Sequence, residues 1–382
     1  MIYLDNAATT PINKKALKQL TKWNKNFGNS ESVYKIGRKA AEVVEKSRTQ
    51  ICDFIGCHDP NRLFFTSGGS EANSWVIFSE TKRLLSKGKK ICIAITGIEH
   101  HSIINAVEEA KTLFGAKVVY FPINKDGFIN LNYKSMGDFF ATNKPDLVCF
   151  SIINNEIGTI ETSYKNLIHM AHKNNCKIHI DCVQGLPHMD LSYVIKSGAD
   201  FLSISAHKIG GPKGIGALYV GYPDELYPLI HGGAQESGKR GGTLNAGLIA
   251  AFGTAIENFK NRESIYKVYY DYIKENLIDK LKLKINGPKE ECTYGIINFD
   301  CGIESSTFVT AMDFKGIYVS TGSACNGSGN YSHVLEKTMK NPTYGLRVSF
   351  GTNTKFKDVK KFVREFIKNY KALKKLSDGD IF

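Results

Sequence analysis

The run Ser203-Ile204-Ser205-Ala206-His207-Lys208-Ile209-Gly210-Gly211-Pro212 ends an apolar stretch in a hydroxyl, an imidazole and an amine, with glycines directly after them. A lysine placed there can be held for Schiff-base chemistry, because the glycines let backbone pass close to a ligand. A solvated lysine in a surface turn is the ordinary alternative. Phe64-Phe65-Thr66-Ser67-Gly68-Gly69-Ser70-Glu71-Ala72-Asn73 reads as a strand, a turn and a helix start. Its free N–H groups and hydroxyls would make a phosphate cradle, or simply a capped helix. Ile178-His179-Ile180-Asp181-Cys182-Val183-Gln184 ends a buried strand in a carboxylate. Such a carboxylate can pair with a protonated pyridine nitrogen, although an Asp that only ends a strand is commoner. Asn154-Asn155-Glu156-Ile157-Gly158 and Glu99-His100-His101-Ser102 follow two further apolar runs.

Polar clusters at the ends of five runs need a scaffold that brings strand ends together. From about residue 45 to 220, apolar runs at 62–66, 91–95, 117–121, 146–152, 177–180, 201–205 and 215–220 alternate with helix-length amphipathic stretches such as 70–87, 100–114 and 164–174. That alternation predicts an α/β fold, a mostly parallel central sheet with helices on both faces. In open sheets of this kind ligands bind at the carboxyl ends of the strands. Beyond about residue 256 the pattern becomes a long helix (about 255–282), strands near 283–285, 295–300, 316–320 and 345–350, a helix near 305–314, and a basic helix over about 355–375. The expected domains are a large one over 13–255 and a smaller α+β one built from 1–12 and 256–382.

Composition removes several function classes. Hydrophobic residues are 42% and charged residues 23% of 382, which suits a globular chain, and no apolar run reaches membrane-spanning length. The N-terminus carries no basic segment followed by an apolar run, so the cytoplasm is the expected location. The net charge of +13 raises the question of nucleic acid, yet only eight of the 50 basic residues are arginines and the lysines are scattered. Base-reading interfaces favour the arginine fork. Direct nucleic-acid binding is therefore not expected. Nine cysteines without a signal segment argue against a disulfide framework, and no Cys/His spacing suits zinc, so no metal is expected. Cys92 and Cys149 sit in strand-like runs as small buried hydrophobes. Cys325 differs. It stands in Thr321-Gly322-Ser323-Ala324-Cys325-Asn326-Gly327-Ser328-Gly329-Asn330, which has almost nothing to bury and reads as a mobile loop.

Taken in order, these stretches resemble the cysteine desulfurases of the pyridoxal-phosphate-dependent aminotransferase class V group. The ordered set is Tyr3-Leu4-Asp5-Asn6-Ala7-Ala8-Thr9-Thr10-Pro11, Phe27-Gly28-Asn29, Thr66-Ser67-Gly68, Glu99-His100, Asn154-Asn155-Glu156-Ile157-Gly158, Asp181-x-x-Gln184, Ser205-x-His207-Lys208, Gly242-Thr243-Leu244, Ser323-Ala324-Cys325 and Arg347-x-Ser349. The resemblance implies the type I fold of these transferases and pyridoxal 5'-phosphate as cofactor. It makes Lys208 the Schiff-base lysine, sets His100 against the ring as a proton carrier, and pairs Asp181 with the pyridine nitrogen and Gln184 with the phenolate oxygen. Gly69, Ser70, Ser205 and His207 would hold the phosphate, with Thr243 arriving from the partner subunit of a homodimer. Asn155 and Arg347 would grip the carboxylate of L-cysteine. Cys325 would take its sulfur as a persulfide and pass it to an acceptor protein for iron–sulfur clusters or for thiolated tRNA and cofactors.

The chain departs from the family pattern in carrying Ser70 where many relatives have Thr, and Ser30-Glu31-Ser32-Val33-Tyr34 where Pro-x-Ser-x-His is usual. Cys325 and Arg347 lie 22 residues apart, which places the chain among mobile-loop members with modestly reduced reach. Two other readings stay open. Another class V lyase, such as a selenocysteine lyase, would differ in its dependence on Cys325. A basic binding protein that has lost catalysis would be colourless.

Overall fold

The computed structural model describes residues 1–322, 332–339 and 341–377. Cys325 lies outside the described residues. Strands are β1 (Ile2–Tyr3), β2 (Leu63–Thr66), β3 (Cys92–Ile95), β4 (Lys117–Tyr120), β5 (Leu147–Ser151), β6 (Lys177–Asp181), β7 (Phe201–Ser205), β8 (Gly216–Val220), β9 (Lys284–Asn286), β10 (Ile296–Asp300), β11 (Ile317–Tyr318) and β12 (Gly345–Ser349).

The central sheet runs in the order β2-β8-β7-β6-β5-β3-β4. All neighbouring pairs are parallel except those of β8, which is antiparallel to both β2 and β7. Alternate side chains enter opposite faces, as strand geometry requires. Phe64, Ile93, Ile95, Leu147, Cys149 and Phe201 join one core with Trp75 and Val107. Phe65, Ala94, Val148, Phe150, Ile178 and Ile204 join another with Val44, Ile51 and Phe252. Both faces are thus covered, which is why the strands read as continuous apolar runs.

A third core gathers Leu4, Tyr270, Phe299, Phe308, Leu346, Val348, Phe362 and Phe366. Its sheet is β12-β10-β9, antiparallel throughout. The first residues reach it because β1 pairs with β11, and Asp5 bridges to Ser349 in β12.

The helix expected over about 255–282 begins later than the sequence suggested, at Glu263. The Ala-rich helix runs Ala246–Asn258 and stops, and a new one begins at Glu263, continuing through a π turn at Lys274–Ile278. At the break Asn261 Oδ1 accepts the Glu263 N–H (2.9 Å), an Asx turn that redirects the chain before the new helix starts. A short helix, His333–Thr338, was not legible in the sequence.

Candidate active site

Five strands end at one cavity of about 240 Å³. From the first turn of the helix after β2 come Gly69 and Ser70, and from beyond β3 comes His100. The turn after β5 supplies Asn155, β6 supplies Asp181 and then Gln184, and β7 supplies Ser205, His207 and Lys208. Arg347 of β12 and the backbone at Ala7 and Ala8 complete the wall. Of the expected site residues, Thr243 does not line this cavity and is exposed.

The helix Gly69–Leu85 opens at the cavity with no side chain capping its first turn. Its leading N–H groups have no intrahelical acceptor, so the terminus favours an anion. Gly69 is required by close approach, since a Cβ there would fall 2.5 Å from Val183 Cγ2.

The N-terminal segment is stitched across this floor. Lys208 Nζ donates to Ala7 O (2.5 Å) and Ala8 O (2.9 Å), and Gln184 Nε2 donates to Ala7 O (2.8 Å). Thr10 Oγ1 donates to His207 O (2.7 Å), while His207 Nδ1 meets Thr9 Oγ1 at 3.1 Å. Burial, with the Lys208 and Lys213 cations nearby, pulls His207 down to about 4.

A hydrogen-bonded chain links Asp181 to His100. Asn73 Nδ2 donates to Asp181 Oδ2 (2.8 Å) and to Ser102 Oγ (2.9 Å). His100 Nδ1 accepts the Ser102 N–H (3.1 Å) and lies 2.8 Å from Ser102 Oγ. An imidazole nitrogen that accepts a backbone N–H is unprotonated, so the neutral ring carries its proton on Nε2. Burial lowers the His100 pKa, against the pull of Asp181, and keeps the ring neutral. The other Asp181 oxygen accepts the Val183 N–H (2.9 Å). Asn73 and Ser102 stood inside recognised sequence stretches, but their roles appear only when two helix starts face each other.

Arg347 is 1% exposed. Its Nη2 donates to Asp5 Oδ1 and its Nη1 to Asn155 O, both at 2.8 Å, while the buried Nε has no partner among the described residues. An unused donor on a buried guanidinium at a cavity wall points to a carboxylate-bearing ligand. Around the segment that carries Cys325, Ser320 Oγ donates to Gly322 O (2.7 Å) on one side. On the other, Ser332 Oγ donates to Oε2 of Glu156, the neighbour of Asn155, at 2.5 Å.

Behind the cavity Glu99 is 2% exposed, and burial raises its carboxyl to about 7. This happens although Ser151 N–H and Oγ–H both donate to it at 2.7 Å. The folded pKa exceeds the ordinary 4.5, so this group's contribution is fully present below 4.5 and is lost as pH rises through about 7. Denaturation of wild type and Glu99→Gln at about pH 5 and about pH 8.5 is therefore expected to show wild type losing ~3 kcal/mol more between the two. Equal losses would contradict a buried, proton-holding Glu99.

A model of the family described as aminotransferase class-V matches residues 2–362. A cysteine desulfurase IscS of Dictyoglomus turgidum is 36% identical over 344 residues, covering 87% of this chain and 84% of that protein. A cysteine desulfurase IscS of Methanosarcina thermophila is 34% identical over 345 residues, covering 87% and 82%. Among solved structures, a NifS-like protein superposes with a TM-score of 0.86 at 26% identity, covering 98% of this chain and 99% of that one. The structure described as SspA in complex with cysteine gives 0.79 at 28% identity, covering 92% and 99%.

Proposed function

This chain belongs to the aminotransferase class-V family, and on that premise we propose that it is a pyridoxal-phosphate-dependent cysteine desulfurase. In this reading sulfur passes from L-cysteine to Cys325 and then to an acceptor protein. The observation that carries it is the convergence of Lys208, His100, Asp181 and Arg347 on one cavity. The donor set suits the cofactor: a helix N-terminus for phosphate, a buried carboxylate for a ring nitrogen, and an amine for an aldehyde.

Pyridoxal phosphate bound there supplies an electron sink, so that a carbon–sulfur bond can break with its electron pair left on carbon. Lys208 supplies the attaching amine. Asp181, which accepts from Asn73 Nδ2 and the Val183 N–H, offers negative charge to a protonated ring nitrogen. Gln184 is assigned to the phenolate oxygen, and Gly69, Ser70, Ser205 and His207 to the phosphate. His100, neutral with its proton on Nε2, moves protons at the substrate. Arg347 Nε, with Asn155, orients the substrate carboxylate.

Cys325 thiolate is the nucleophile toward the substrate sulfur. Overall a protein thiol and L-cysteine become a protein persulfide and L-alanine, and the pair left on carbon takes up a proton. The acceptor is assigned to iron–sulfur cluster assembly or to thiolation of tRNA and cofactors. A homodimer is part of this reading. Thr243, exposed on its own chain, is assigned to the neighbour's phosphate, and Phe27 and Val33, just before and within residues 30–34, expose 89% and 85% of their surface. No helix among the described residues is long and apolar enough to cross a membrane, and the cytoplasm is the proposed location.

The test is whether purified protein is yellow with bound pyridoxal phosphate and forms alanine from L-cysteine in step with sulfur transfer. Colourless protein that takes up no cofactor would overturn the reading. Within it, Asn73→Ala is expected to weaken cofactor affinity about tenfold, the order of one lost charge-assisted bond, measured by absorbance titration. An unchanged affinity would remove Asn73 from the account.

A further inference from the structure

The helix Lys35–Ile55 ends at Gly56 with φ of 79°. Gly56 N–H donates to Asp53 O (3.1 Å), and Cys57 N–H reaches back to Cys52 O (2.9 Å). That pair of bonds is the Schellman motif, which brings the residue after the glycine against the one five positions earlier. In most helices this contact is between apolar side chains. Here the motif brings together two thiols, Cys52 and Cys57, and both donate to Asp59 O, at 3.7 and 3.2 Å. The pair precedes β2 and has no part in lining the cavity at the other end of that strand.

We propose that Cys52 and Cys57 form a second thiol site, a dithiol that closes to an intramolecular disulfide by exchange with low-molecular-weight disulfides. Cys57 is the attacking thiol. It is partly exposed, whereas Cys52 is buried. The neighbouring Cys52 thiol lowers the Cys57 pKa, toward the thiolate form, while that of Cys52 is raised, which makes Cys57 the first of the two to ionise. Burial instead raises Cys92, Cys149, Cys176, Cys182, Cys292 and Cys301. Cys57 thiolate attacks one sulfur of the small disulfide and expels one small thiolate. Cys52, losing its proton to water, then attacks the Cys57 sulfur of the mixed disulfide and expels the second. The two protein thiols give up two electrons and two protons, and one small disulfide becomes two thiols.

Both cysteines fall within Thr49–Arg62, which trypsin releases as a single peptide. The holoenzyme is incubated with glutathione disulfide, quenched in acid, denatured, alkylated and digested. The expected product is this peptide two hydrogens lighter, with loss of both alkylation sites, while the six buried thiols stay alkylatable. Cys52→Ser is expected to stop at a glutathione adduct on Cys57, and Cys57→Ser to leave Cys52 reduced with desulfurase turnover unchanged. A wild-type peptide that keeps glutathione on Cys57 with Cys52 alkylatable would overturn the proposal. So would a fully alkylated peptide after Cys325 has been oxidised. Apart from the turnover of Cys57→Ser, none of these outcomes depends on whether the desulfurase assignment holds.

Discussion

Lys208→Ala protein is expected to be colourless after gel filtration and to form alanine from L-cysteine at least about 10³-fold more slowly than wild type. The magnitude follows from losing the attaching amine and a proton carrier together. The variant should still fold, because Lys208 is bound to the backbone of Ala7 and Ala8 at a cavity wall and does not belong to a packed core. Circular dichroism and the thermal transition separate loss of chemistry from loss of fold. A Lys208→Ala protein that keeps both colour and rate would remove this lysine from the mechanism.

Arg347→Lys is expected to lower kcat/KM for L-cysteine by about 10²-fold, with cofactor absorbance retained. A charge-assisted hydrogen bond is worth about 1.5–3 kcal/mol, and an ammonium cannot reproduce the three directions in which the guanidinium donates. Two of those directions are structural, toward Asp5 and the Asn155 carbonyl, and Nε is the one without a partner among the described residues. Arg347→Leu should in addition destabilise the fold by about 3–5 kcal/mol, because it leaves Asp5 without the cation it faces. If the Lys variant lost stability but kept kcat/KM, Arg347 would be a structural strut and no substrate ligand.

The strands of the central sheet and the clusters at their carboxyl ends were legible because each is local. An apolar run and the polar residues directly after it are contiguous in sequence. What the sequence did not show was long-range. Asn73 and Ser102 act through one another and Asp181, and Asp5 and Arg347 meet across almost the whole chain. The start of the second helix at Glu263 was hidden because a single Asx turn at Asn261 interrupts an otherwise helical composition. The Cys52–Cys57 contact was equally unreadable, since it depends on a left-handed glycine between two cysteines that otherwise pass as small hydrophobes.

The central claim is that sulfur leaves L-cysteine onto Cys325. Its most direct test is brief incubation of the pyridoxal-phosphate-loaded protein with sulfur-labelled L-cysteine, followed by thiol blocking without reductant and peptide mass spectrometry. The account predicts one added labelled sulfur on the Cys325 peptide, formed together with an equal amount of alanine. Label found on another cysteine, or alanine and free sulfide released at full rate by Cys325→Ala, would contradict it.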